Sequence, residues 1–150
     1  MTAEPGTLNP RLQEIADDFT SLPADQRLQL LLEFSQDLPP LPARYAEHRD
    51  LLEPVPECQS PLFLAAEVDA DDRVHLFFEA PPEAPTTRGF AGILHAGLDG
   101  LDAADVLQTP GEFSAQLGLR DLVSPLRLRG LAAMLARIKR QVRDQRSVRA

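Results

Sequence analysis

The chain contains one cysteine, Cys58, in the segment Pro54-Val55-Pro56-Glu57-Cys58-Gln59-Ser60-Pro61-Leu62-Phe63. A single thiol cannot close an internal disulfide and falls short of a metal-ligand cluster. It is therefore either a small buried hydrophobe or a reactive sulfur. The polar neighbours Glu57, Gln59 and Ser60 place it at a loop-to-strand junction, where chemistry is often carried. A hydrolase or acyltransferase would need an imidazole within about 2.6–3.2 Å of that sulfur. His48, His75 and His95 are the available bases, and no local spacing brings one of them to Cys58. Of the 15 basic residues 14 are arginine and only Lys139 is lysine, which leaves little scope for Schiff-base chemistry.

Other patterns point away from chemistry. Asp69-Ala70-Asp71-Asp72 lacks the glycine and glutamate spacing of an EF-hand and reads as a turn. No strand leads into a GxGxxG segment, so no nucleotide phosphate loop is expected. Residues 1–118 hold six arginines against 21 carboxylates, whereas 119–150 hold nine basic and two acidic side chains. That basic end lacks interleaved aromatics, and the acidic bulk would repel phosphates, so nucleic acid is not an expected partner. No apolar run reaches the ~18 residues of a membrane span, and Met1–Pro10 has neither the basic nor the apolar region of a secretory signal. With one cysteine, this leads us to expect a reducing cytoplasm.

The elements that must position Cys58 follow from periodicity and punctuation. Asn9-Pro10 starts a helix with Leu12, Ile15, Ala16 and Phe19 on one face. Pro23 opens a second, with Leu28, Leu31 and Leu32 inward and Leu30 and Phe34 widening the stripe. The run Asp37–Pro42 stops it and acts as a rigid connector; residues 43–52 read equally as helix or loop. Val55 ends a short first strand, and Leu62–Val68 and Arg73–Glu79 form a hairpin. Thr86 or Thr87 caps a helix bearing Phe90, Ile93, Leu94 and Leu98. Its Gly89, Gly92 and Gly97 each weaken it by about 1 kcal/mol and signal close approach of another backbone. Asp102 opens a short helix, and Gly118 closes another over Glu112–Leu117. Ser124-Pro125 begins the last helix, with Leu131, Met134, Leu135, Ile138 and Val142 buried. Arg127 and Arg129 in its first turns oppose the helix dipole, either as exposed ion-pair partners or as groups that hold an anion there. The expected fold is α+β: one domain over 1–150, a small antiparallel sheet of about three strands against several helices, with 1–8 and 144–150 as flexible tails.

Three separated blocks resemble the SufE family of sulfur-acceptor proteins in iron–sulfur cluster assembly. The first is Val55–Phe63, with Cys58 at the sulfur-accepting position. The second, Glu83 to Phe90, resembles an acidic residue followed at a fixed interval by Arg-Gly, here Arg88-Gly89. The third, Leu122 to Leu131, resembles Leu-Ser-Pro-x-Arg-x-x-Gly-Leu, with Arg127 on the family's arginine. Glu57 stands where the family usually has glycine, Phe63 where it has tryptophan, and Pro81-Pro82-Glu83 where it has Asp-Ser-Asp.

The resemblance implies a SufE/NifU-like fold in which Cys58, partly shielded, takes sulfur from the persulfide of a SufS-type cysteine desulfurase, stimulates that enzyme and passes sulfur to a downstream scaffold. Pyridoxal phosphate belongs to the partner; this chain is expected to carry no cofactor or metal and to be a monomer or weak homodimer. Arg127 is the expected stabiliser of the thiolate or persulfide, with Gln59, Ser60, Glu83 and Arg88 around it. A thiol-dependent hydrolase and a non-catalytic adaptor that binds a desulfurase are the competing readings.

Overall fold

The computed structural model describes residues 8–149, the last three as backbone. Asn9 caps α1 (Pro10–Thr20): its side chain accepts from the N–H groups of Arg11 and Leu12 at 2.9 and 3.1 Å. Helix α2 (Ala24–Asp37) ends at the proline run. Residues 43–52, ambiguous in sequence, resolve into a single helical turn, α3 (Ala43–Ala46), and a 3-10 turn at Arg49–Leu51.

Strands β1 (Glu53–Pro54), β2 (Phe63–Val68) and β3 (Val74–Glu79) form an antiparallel sheet in the order β1-β2-β3. Val55 lies just beyond β1, yet its N–H still donates to Leu62 O at 2.9 Å. In the β2–β3 turn Asp69 Oδ1 accepts from the N–H groups of Asp71 and Arg73, closing the hairpin as expected. Side chains alternate across the sheet. Leu64, Ala66, Val68, Val74, Leu76 and Phe78 enter the main core, while Phe63, Ala65 and Phe77 pack with Leu41, Tyr45 and Leu52 on the other face.

Helix α4 (Pro85–Leu98) starts at proline without a side-chain cap, so neither Thr86 nor Thr87 caps it. It crosses α2 at very short range. A Cβ on Gly89 would lie 2.7 Å from Leu31 O, and one on Gly92 would lie 2.2 Å from Phe34 O. This seam selects which α2 face turns inward. Leu31 and Ser35 are buried and Phe34 packs against the core, but Leu28 and Leu32 stay 45% and 36% exposed, contrary to expectation.

Helix α5 (Ala103–Leu107) and a 3-10 turn at Phe113–Leu117, ended by Gly118 at φ 66°, lead to α6 (Pro125–Arg149). The five residues expected on the buried face of α6 are all buried. Leu8 belongs to the main core and α6 is helical through Arg149, while residues 1–7 and 150 lie outside the described residues. Near its end α6 ties itself to β2. Gln141 Oε1 accepts from Ala66 N–H at 2.7 Å, and Gln145 accepts from Val68 N–H and donates to Ala66 O at 2.8 and 2.6 Å. Among the described residues no helix is long and apolar enough to cross a membrane.

Candidate functional site

Between β1 and β2 the chain makes a 3-10 turn, Pro56–Cys58, with Pro56 at its first position. Cys58 N–H donates to Val55 O at 3.1 Å, and Gln59 takes the left-handed conformation at φ 64°, which turns the chain back towards β2. The turn is covered by α6, and its contact point is Gly130. A Cβ there would lie 3.1 Å from Cys58 Cα and 3.2 Å from Sγ, so a side chain would crowd the sulfur. The thiol points at Gly130 O at 3.7 Å, a weak hydrogen bond, and Cys58 is only 4% exposed.

Burial first, then the Glu57 carboxylate, against the opposing charge of Arg137, together push the thiol pKa up to about 11. In the free protein the thiolate should form near pH 11 rather than at the usual thiol value of about 8.5. Thiolate absorbance followed against pH checks this; a midpoint at or below the usual value would contradict the closed site.

The cation whose charge acts on this thiol is Arg137. Arg127 is exposed; its backbone N–H donates to Ser124 Oγ at 3.2 Å, and its side chain makes no ion pair among the described residues. Among the described residues no hydrogen bond or ion pair joins Arg127 to the sulfur. Arg137 lies seven residues beyond Gly130, two helical turns further along the same face of α6. Its guanidinium grips Glu57 in a two-pronged pair, Nη2–Oε1 2.9 Å and Nη1–Oε2 3.1 Å. Arg137 Nε is buried and sits 3.2 Å from Glu53 Oε2, off hydrogen-bonding geometry. Glu53 is also held by Arg140 and by Gln141 at 2.9 Å. The Glu57 carboxyl is held below its ordinary range by its own backbone N–H and by Arg137. Glu57, the departure from glycine, is thus the residue that joins the cysteine turn to α6.

The remaining predicted residues divide. Gln59 is exposed beside the thiol, and Ser60 is half-buried. Glu83 is exposed, on the loop that leads into α4. Arg88 acts as a structural tie, donating to Ser35 O at 2.9 Å and Ala80 O at 2.6 Å, and joins α2 to the segment after β3. No histidine reaches the sulfur. His48 is exposed, His75 pairs with Asp69 at 2.7 Å, and His95 lies 3.8 Å from Asp99. Among the described residues no group of three His, Cys, Asp or Glu could hold a metal.

The site can hold a protonated thiol out of water; the adjacent Glu57 carboxylate is engaged by Arg137, and no histidine lies beside the sulfur among the described residues. It suits a sulfur that is exposed and ionised only on demand, and gives no support to hydrolysis or acyl transfer.

Comparison with known proteins places the whole chain rather than the site. The SufE family, described as "Fe-S metabolism associated domain", matches residues 13–142. An uncharacterized SufE-like protein of Mycobacterium tuberculosis is 56% identical over 144 residues, spanning 96% of this chain and 99% of that one. SufE-like protein 1, chloroplastic/mitochondrial, of Arabidopsis thaliana is 30% identical over 129 residues, covering 85% of this chain and 33% of that protein. The solution structure of a hypothetical protein from Thermus thermophilus superposes with TM-score 0.81 at 42% identity, covering 92% of this chain and 97% of that one.

Proposed function

The chain belongs to the SufE family, and from that premise we propose that Cys58 accepts a sulfur atom from the persulfide of a cysteine desulfurase in a reducing cytoplasm. The single observation that carries the reading is the shielded thiol itself: a lone cysteine, 4% exposed, packed on the Cβ-free face of Gly130. A carrier of labile sulfur needs that shielding, because an exposed persulfide exchanges with any small thiol.

The transfer balances without an added oxidant. Cys58 thiolate attacks the outer sulfur of the partner's persulfide; the new S–S bond forms at Cys58 as the partner's S–S bond breaks. The electron pair leaves on the partner's sulfur as thiolate, and Cys58 then carries the persulfide for delivery to a cluster-assembly scaffold. Pyridoxal phosphate chemistry belongs to the desulfurase. On this chain the contributions are positional: Arg137 favours the anion at Cys58, and Arg127, exposed three residues before Gly130, is free to meet the partner's side of the site.

The test is a mass spectrum of the peptide containing Cys58 after incubation with a cysteine desulfurase and cysteine. A gain of one sulfur, removed by reductant, is the expected result. Desulfurase turnover with no gain on this peptide would exclude the assignment.

A further inference from the structure

We propose that Glu57 and Arg137 form a clasp that holds the Cys58 turn shut in the free protein, so that loading with sulfur requires this pair to part. The proposal deepens the sulfur-acceptor reading and takes its biological meaning from it, though its test does not depend on it.

The closed turn does not admit the reaction. Attack on a persulfide needs a line of approach along the S–S axis, and Cys58 offers 4% of its surface, with Gly130 directly against the sulfur. The turn must therefore lift off α6, breaking the apolar packing of Cys58 and the polar ties across to the helix, and the polar ties can be counted. Its own hydrogen bonds, Cys58 N–H to Val55 O and Gln59 N–H to Pro56 O, are local and travel with it. Across to α6, the polar connections from 56–59 among the described residues are two: the 3.7 Å thiol contact to Gly130 O and the Glu57–Arg137 fork. A thiol is a weak donor, so the fork is the stronger of the two polar ties.

The two halves of the fork are held very differently. Arg137 is fixed to its own helix by Ala133 O at 3.4 Å and beside Glu53, which Arg140 and Gln141 secure in turn. It stays in place when Glu57 leaves. Glu57 is the half that moves: its side chain is 46% exposed, so release returns the carboxylate to water. The hinges are visible on either side, with Val55 anchored to Leu62 O before the turn and Gln59 left-handed after the cysteine.

The test is the rate at which iodoacetamide alkylates Cys58 in the free protein, for the native chain, Glu57→Gln and Arg137→Gln. A clasp predicts that both variants react faster, by about tenfold for a weakened local closure. Electrostatics alone predicts opposite signs, because Glu57 disfavours the thiolate and Arg137 favours it. A slower or unchanged Arg137→Gln overturns the clasp. If that variant unfolds, Glu57→Gln decides, since its rate divided by the thiolate fraction from its own absorbance titration reads access alone. An unchanged rate per thiolate overturns the proposal; an increase, together with native-chain alkylation that rises with added salt while Glu57→Gln does not respond, supports it. Failure of the sulfur-acceptor reading would appear separately, as absence of the mass gain on the Cys58 peptide.

Discussion

Cys58→Ser is expected to lose sulfur acceptance altogether, by at least roughly a hundredfold, because the step needs a nucleophilic sulfur that an alcohol cannot replace. Serine is close to cysteine in size, and the site offers its hydroxyl only Gly130 O, 3.7 Å from the present Sγ. The fold should therefore lose no more than about 1–2 kcal/mol from an imperfectly satisfied buried hydroxyl. The experiment follows labelled sulfur from cysteine through a desulfurase onto this chain, with a thermal melt to confirm folding. Desulfurase turnover in the same reaction separates two roles. A carrier that drains the partner's persulfide loses its stimulation with the thiol. An adaptor keeps it, and retained stimulation without label would favour that reading.

The largest stability effect is expected at Gly92→Ala. The added methyl would stand 2.2 Å from Phe34 O and 2.8 Å from Phe34 C, both backbone atoms of α2 that no rotamer change can move aside. The helices must separate along their whole contact, which includes the similar approach of Gly89 to Leu31 O at 2.7 Å. Overpacking of this kind costs about 3 kcal/mol or more, against which alanine's better helix propensity returns only about 1 kcal/mol. For a domain of this size the midpoint should fall by roughly 5–10 °C. Gly111→Ala is the control: nothing lies within 4 Å of its added Cβ and its φ is not positive. Its midpoint should barely move. A Gly92→Ala chain as stable as the native one would mean that α2 and α4 have slack between them.

Those glycines show why parts of the fold were legible. A glycine at Gly89 or Gly92 weakens its own helix, so its presence signals that another backbone needs the space. The α6 stripe was equally plain, because Leu131, Met134, Leu135, Ile138 and Val142 admit a single face. Helix α2 was not, since Leu28, Leu30, Leu31 and Leu32 draw a stripe too wide to say which edge is buried; the position of α4's glycines decides that, and it is tertiary information. The site divides along the same line. Cys58 and its turn were readable locally, from proline, polar neighbours and the apolar strand beyond. The Glu57–Arg137 fork joins residues 80 apart in sequence, and nothing local marks either as the other's partner. The one clue was spacing: Arg137 follows Gly130 by two helical turns, whereas Arg127 drew attention by opposing the dipole and then stayed in solvent.

The glutamines near the end of α6 bear on the open side of β2. β1 is two residues long and pairs only with Phe63 and Leu64, leaving the rest of that side of β2 without a neighbouring strand. Gln141 and Gln145 occupy it, their amides imitating the peptide groups of a missing strand at Ala66 and Val68. An uncovered row of this sort is a template onto which a second molecule can add. Loss of the final turns of α6 would uncover the Ala66 and Val68 peptide groups of β2.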